Sequence, residues 1–412
     1  MVAIIGLGYV GLPLALLSAS KGIETIGFDI SKEKVNDLKK GNLPFEDDIF
    51  KKWYVDGKDQ LVLTDDIEDI KSENIKIICV PTPVNEDRTP NFEPLKKATE
   101  MVSNQLVEND LVVVESTVSP GTMEDVVKPI LDKKNVNYFL AHCPERIDPG
   151  NKNYNVSNIP RNIGGIDSKS TSIAASFYRK ILDTSVKELS TIKAAEATKI
   201  MENSFRDVNI AFINEMAKVF QAMGIDVLEV IEGAKTKPFG FLPHYPGIGV
   251  GGHCIAVDPY YLIKAAEKNG VNPKILKNSR EVNKSMPKYA LDILENQIRK
   301  QKIKNPKIAV LGISYKQDVK DDRESPYYDV KKELDNLEYD YNVYDPFFPE
   351  FSDYESLDEI SNESNIILIV TAHSEFRDME VPDNIEFVLD GRNILNSDYL
   401  EGKGIKYIGI GR

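Results

Sequence analysis

The sequence predicts an α/β protein of two doubly wound, parallel-sheet domains joined by a long central helix and a helical middle domain. Three observations carry that prediction. Short apolar, β-branched runs alternate with helix-compatible stretches over residues 2–141. The alternation resumes over residues 306–392. Between them lies a segment with helical periodicity and no internal proline. The expected domains are residues 1–190, 191–300 and 301–412.

The first strand, VAII (2–5), leads into Gly6-Leu7-Gly8-Tyr9-Val10-Gly11 and then the helix-compatible LPLALLSASKG. A G-x-G-x-x-G turn is a weak signal alone and a strong one between strand and helix. Gly6 permits the tight turn, Gly8 lets backbone approach a pyrophosphate at the helix N-terminus, and Gly11 lets helix and strand pack closely. Asp29 ends the second strand, ETIGF (24–28), where its carboxylate would accept from adenosine ribose hydroxyls and repel a 2′-phosphate. The first domain is therefore expected to be Rossmann-like and to bind NAD rather than NADP. IKIICV (75–80), LVVVE (111–115) and NYFLA (137–141) continue the sheet, and Cys79 inside IKIICV reads as a packed core thiol.

The central segment TIKAAEATKIMENSFRDVNIAFINEMAKVFQAMG could run as a helix of about 30 residues, ~45 Å long, with a surface for self-association. Lys199 and Asn203 lie four apart on one face of it. That spacing suits a shared ligand or a solvated surface equally. Next comes GIGVGGHCIAVDPYYL, with four glycines in six residues ahead of Cys254. So many glycines imply a close approach to bare backbone. Asp258, Pro259 and Gly270 fit the cap, first turn and stop of a following helix, so Asp258 has a structural use as well as a chemical one. A helix N-terminus and a nearby lysine would favour the Cys254 thiolate.

PKIAVLG (306–312), YNVYD (341–345), NIILIVT (365–371) and EFVLDGR (386–392) read as a second parallel sheet. Its first turn, GISYKQD, lacks the dinucleotide fingerprint, so a different nucleotide ligand is expected there.

Composition narrows the alternatives. Across 412 residues, 51 Lys and Arg against 65 Asp and Glu give a net charge of −14, which excludes a general nucleic-acid or membrane-surface binder. An anionic ligand then needs a locally built site. No apolar run approaches the roughly 18 residues of a membrane span, and no leader pattern opens the chain, so a cytoplasmic protein is expected. Three cysteines without a C-x-x-C pair argue against a disulfide framework and a cysteine zinc site, and no metal is expected.

The motifs GLGYVGLPLA, CVPTP, ESTVSPGT, CPER, KIMEN, GVGGHCIAVDP, GISYKQDVKDDRESP, YDP, DGRN and YIGIGR occur in order from end to end. With them the chain resembles the nucleotide-sugar 6-dehydrogenases, the UDP-glucose/GDP-mannose dehydrogenase family. The resemblance implies oxidation of a sugar C6 alcohol to a carboxylate with two NAD. It makes Cys254 the nucleophile, with Lys199, Asn203, Asp258, Glu145 and Thr117 around the reacting alcohol and water. Gly6, Gly8, Tyr9, Val10, Gly11, Asp29, Lys34, Thr82, Thr117 and Arg323 would face NAD. Glu145, Arg146, Lys199, Asn203, Arg206, Gly251 and His253 would face the substrate, with Lys316 and Arg392 on the UDP phosphates.

Thr82, Thr117, Glu145, Lys316 and Arg392 also sit at the C-terminal ends of predicted strands, where open α/β sheets bind ligands. The glycines around Cys254 would let the sugar lie against backbone. HCIAVDP and CPER resemble the N-acetylhexosamine branch, whereas the UDP-glucose branch usually carries a glutamate where Pro149 stands. The implied substrate is UDP-N-acetylmannosamine, then UDP-N-acetylglucosamine, then UDP-glucose, with Arg161, His253 and Arg280 as candidates for reading the sugar. A homodimer or dimer of dimers is implied. Two rivals remain. A catalytically silent nucleotide-sugar binder would be expected to lose Cys254, Lys199 or the glycine fingerprint, all of which are present. A hydroxyacid dehydrogenase would have no use for the cysteine loop.

Overall fold

A computed structural model describes residues 1–44, 48–148, 151, 153–252 and 254–412. His253 and Pro149 lie outside the described residues. Two compact units result, Met1–Glu202 with Tyr260–Gly270, and Asn203–Pro259 with Val271–Arg412.

The first unit is built on a sheet of order β3-β2-β1-β4-β5-β6-β7-β8. Its strands are β1 (Val2–Ile5), β2 (Thr25–Phe28), β3 (Leu61–Thr64), β4 (Ile75–Ile78), β5 (Asp110–Val114), β6 (Tyr138–His142), β7 (Arg161–Gly165) and β8 (Val186–Glu188). The five expected strands are present, and β1, β2, β4, β5 and β6 pair in parallel. Three strands were not legible. β3 and β8 are only four and three residues long, and β7 is RNIGG, with arginine and glycines where a buried strand should be apolar. β7 also runs antiparallel to β6, so the sheet is mixed rather than purely parallel. Its glycine is a matter of room, since a Cβ at Gly164 would lie 2.3 Å from the Thr191 carbonyl oxygen.

The turn after β1 separates the three fingerprint glycines. Gly6 has φ +95°, and a Cβ there would stand 2.8 Å from the Cys79 carbonyl oxygen. One at Gly11 would stand 1.9 Å from the Gly6 carbonyl oxygen. Both are required by the fold itself. Gly8 has nothing within 4 Å of its missing Cβ, so the protein's own packing does not require it. The following helix, Gly11–Ser20, is buried nearly all round, as its apolar LPLALL predicts.

The second unit carries a wholly parallel sheet of order β10-β9-β11-β12-β13. The strands are β9 (Lys307–Leu311), β10 (Asp340–Tyr344), β11 (Ile366–Ile369), β12 (Phe387–Asp390) and the unanticipated β13 (Lys406–Gly409). The Ile, Val and Leu side chains of β9, β11 and β12 are fully buried. The long helix runs Ile192–Met223, 32 residues, and ends at Gly224, φ +70°. A separate helix, Val227–Lys235, restarts under an Asp226 cap. Among the described residues no helix is long and apolar enough to cross a membrane.

Candidate active site

In the first unit the carboxyl ends of the strands gather polar groups. Asp29, just past β2, accepts the Leu7 N–H at 2.9 Å, the Ser31 N–H at 3.0 Å and the Lys34 ammonium at 2.8 Å. Burial pushes its pKa up, but these donors and the Lys34 charge outweigh burial and hold it below the usual carboxylate range. Tyr9 is exposed beside the turn and Val10 half-buried. After β4, the Thr82 hydroxyl donates to the Thr117 carbonyl at 2.7 Å, bringing two of the expected cofactor residues together. Tyr261 fastens the same turn by donating to the Thr82 carbonyl.

Behind β6, the Lys199 ammonium donates to the Glu145 carbonyl at 2.7 Å. The Glu145 carboxylate accepts from the Ile147 N–H and lies 3.8 Å from the Arg161 guanidinium. Arg161 is fully buried, pairs with the equally buried Glu115 at 3.4 Å and leaves Nε and one terminal nitrogen without a hydrogen bond. It supplies positive charge behind Glu145. Burial raises the Glu115 pKa against the pull of Arg161 and the Tyr178 hydroxyl. Cys143 is wholly buried here with its thiol pKa pushed up, which removes it as a nucleophile, and Cys79 is core as expected. Arg146 is tied to Glu202 at 2.6 Å and to the Pro160 carbonyl.

Sequence reasoning missed Glu196. This fully buried carboxylate accepts the Gly121 and Met123 N–H groups, both at 2.7 Å, and so anchors the loop after Thr117 to the long helix. Burial outweighs those two bonds and raises its pKa to about 7. Its position one turn before Lys199 was the available signal.

In the second unit, Asn203 donates to the buried Asp258 carboxylate at 2.5 Å. Asp258 opens the helix Asp258–Lys268, and its N–H donates to the Cys254 carbonyl at 2.8 Å. The Cys254 side chain is exposed. Arg206 is exposed further along the long helix.

The glycines before Cys254 are required by the protein's own packing. A Cβ at Gly247 would meet the Arg392 guanidinium at 2.4 Å, one at Gly251 the Glu324 carbonyl at 2.8 Å, and one at Gly252 the Tyr315 ring at 2.6 Å. The loop's close neighbour is thus the unit's own turns around Tyr315, Lys316 and Arg392. The Gly252 N–H donates to the Arg323 carbonyl at 3.0 Å, while the Arg323 side chain grips Asp321 at 2.6 Å. Arg280, the other proposed sugar reader, is buried against Asp207 at 2.5 Å. With Asn283 and Asn214 it forms a chain ending on the Gly247 N–H, so it braces the loop. Arg392 donates through Nε to the Val370 carbonyl, and burial lowers its pKa to about 10. Lys316 is half-buried in the turn after β9.

Three consecutive segments match the UDP-glucose/GDP-mannose dehydrogenase family: its NAD binding domain over residues 1–182, its central domain over 193–285 and its UDP binding domain over 309–397. The chain belongs to this family. A UDP-N-acetyl-D-glucosamine 6-dehydrogenase of Pseudomonas aeruginosa is 35% identical over 403 residues, 92% of each chain. A UDP-N-acetyl-D-mannosamine dehydrogenase of Methanocaldococcus jannaschii is 35% identical over 433 residues, covering 100% of this chain and 96% of the relative. Among solved structures, a UDP-D-ManNAc dehydrogenase from Pyrococcus horikoshii superimposes with a TM-score of 0.93 at 33% identity, covering 100% of this chain and 99% of the other. As a family member the chain is a nucleotide-sugar dehydrogenase with an NAD-binding first domain and a UDP-binding last domain.

Proposed function

We propose that the chain oxidises the C6 alcohol of UDP-N-acetylmannosamine to the carboxylate, with two NAD per turnover. The observation that carries this reading is the buried Asn203–Asp258 hydrogen bond at the foot of the Cys254 loop. With the Asp258 N–H bond to the Cys254 carbonyl, it joins three of the expected catalytic residues in one local structure. Gly8, open above its backbone, and Asp29 at the end of β2 fit a bound dinucleotide, with Tyr9, Val10, Lys34, Thr82, Thr117 and Arg323 as further contacts. When bound, NAD supplies the hydride acceptor.

The protein's own residues supply the rest. Lys199 and Asp258, through a water, take the proton of the C6 hydroxyl as a first hydride leaves C6. Cys254 thiolate adds to the resulting aldehyde carbon, and the new C–S bond holds it as a thiohemiacetal. Loss of a second hydride gives a thioester, with Lys199 and Asn203 stabilising negative charge on oxygen. Glu145 takes a proton from water, which attacks the thioester and expels the Cys254 thiolate, leaving the carboxylate. Arg146, Arg206, Gly251 and His253 are assigned to the sugar, and Lys316 and Arg392 to the diphosphate. In this reading the functional divisions are residues 1–190, 191–300 and 301–412.

UDP-N-acetylglucosamine is the second reading, favoured by the Pseudomonas aeruginosa relative. The long helix exposes Phe205, Phe212 and Val219 seven residues apart, which supports a homodimer through a repeating apolar seam, to be checked by light scattering. The deciding experiment counts NADH per mole of UDP-N-acetylmannosamine, UDP-N-acetylglucosamine and UDP-glucose, with Cys254→Ala in parallel. Two NADH from the first sugar, abolished by the substitution, is expected. Two from another sugar moves the substrate, and one NADH overturns the four-electron mechanism.

A further inference from the structure

The two sheets use one device after their second strands, and only one copy of it is blocked. Asp29 follows β2 and accepts the Leu7 N–H, just past Gly6 with φ +95°. Asp345 follows β10 and accepts the N–H groups of Ile313 at 2.6 Å and Ser314 at 2.8 Å, just past Gly312 with φ +105°. In a dinucleotide site this acid holds ribose hydroxyls. Asp345 is fully buried and already committed to the protein's own donors. Its Oδ2 also accepts the Ser314 hydroxyl and the His373 Nε2–H, each at 3.0 Å, and its Oδ1 accepts the Phe347 N–H at 2.8 Å. Burial pushes its pKa up, yet the His373 hydrogen bond, with the N–H donors, more than offsets this and holds it low.

His373 is fully buried and works in two directions. Its Nδ1 accepts the Asp318 N–H at 3.0 Å, which fixes the Nε2–H tautomer that donates to Asp345. Asp318 sits in the left-handed region, φ +55°, and its carboxylate accepts from the Ser374 N–H at 2.9 Å and from the Ser374 hydroxyl. The turn over residues 312–318 is therefore pinned at its start by Asp345 and at its end by His373 and Ser374. Lys316 lies between the two pins.

We propose that His373 is a positioning residue for the UDP diphosphate: by bridging Asp345 and Asp318 it holds the 312–318 turn in the shape that presents Lys316 to phosphate. This rests on the reading of Lys316 as a diphosphate ligand. A turn pinned at both ends has its ordering cost met before the ligand arrives, and the benefit is read as affinity.

The test measures UDP binding by calorimetry, together with KM for UDP-sugar, KM for NAD and kcat. His373→Phe keeps a ring between Phe347 and Phe376, whose centroids lie 5.0 and 5.3 Å away, but offers neither nitrogen. His373→Gln restores one donor and one acceptor. Losing one neutral hydrogen bond and one to the Asp345 carboxylate should weaken UDP binding about tenfold in His373→Phe, raise KM for the UDP-sugar alike, and change KM for NAD and kcat far less. His373→Gln should recover much of the loss, and Ser374→Ala, which removes one pin, should weaken UDP about threefold even where His373→Phe folds poorly. Wild-type UDP affinity in His373→Phe, beside weak binding in Lys316→Met, overturns the proposal and leaves the Lys316 reading intact. Wild-type affinity in Lys316→Met overturns both. A uniform fall in kcat with both KM values raised marks a purely structural role and also overturns it.

Discussion

Replacing Glu196 by glutamine should remove a pH dependence built into the first unit. The wild-type carboxyl has a pKa of about 7 in the folded protein against 4.5 for an ordinary glutamate, because burial outweighs the two N–H bonds from Gly121 and Met123. A raised pKa means that the folded state prefers the protonated form. The contribution to stability is complete below pH 4.5 and is lost progressively as pH rises to about 7. Over that interval of about 2.5 pH units, at about 1.4 kcal/mol each, the loss totals ~3 kcal/mol. Glu196→Gln has no charge to bury, and its amide exchanges one accepted N–H bond for a constant cost of about 1 kcal/mol. The variant should melt below wild type near pH 5 and above it near pH 8. At about 2–4 °C per kcal/mol for a domain of this size, the crossing difference is on the order of 6–12 °C. Melting both proteins side by side from pH 4.5 to 8.5 measures it. Parallel curves across that range would refute the argument, since the two N–H bonds would then suffice to keep the carboxylate ionised at an ordinary pKa.

Other consequences follow from the same geometry. Gly252→Ala combines φ +83° with a Cβ 2.6 Å from the Tyr315 ring, so at least ~1–2 kcal/mol of stability and much of the activity should be lost, read by urea unfolding and NADH production. Arg161→Met leaves Glu115 buried without its cation and should cost about 3–5 kcal/mol, while adding Glu115→Gln restores most of it; a double variant no more stable than the single would show that the pair is not the cause. Asp258→Asn should lower kcat by about 10²-fold or more while UDP affinity stays within twofold, and equal losses in both would remove Asp258 from the chemistry.

The sequence was legible where a feature is local. β1, β2, β4, β5, β6 and β9 to β12 are short apolar runs whose residues state their own burial, and all were anticipated to within two residues. β7 was not, because Arg161, Gly164 and Gly165 are acceptable in a strand only where Glu115 neutralises the arginine and Thr191 needs the room. The site divides in the same way. Lys199, Asn203, Glu145 and Asp258 were picked out from motifs, and the structure gives each a buried position with a polar partner. Arg161 and Arg280 carried the same charge and hydrogen-bonding capacity on the page as a sugar contact would. Their partners, Glu115 and Asp207, lie 46 and 73 residues away in sequence, so the pairing is visible only once the chain is folded.

By itself, then, the sequence determined the two alternating α/β halves, the dinucleotide turn and the cysteine loop, because period, turn chemistry and motif order are properties of neighbouring residues. Tertiary structure alone decided what the glycines before Cys254 pack against, where Glu196 and His373 are held, and which carboxylates Arg161 and Arg280 pair with. Each of these depends on burial and on partners distant in sequence. A carboxylate or a guanidinium looks the same in a sequence whether water or a buried counter-charge surrounds it, and only folding distinguishes the two.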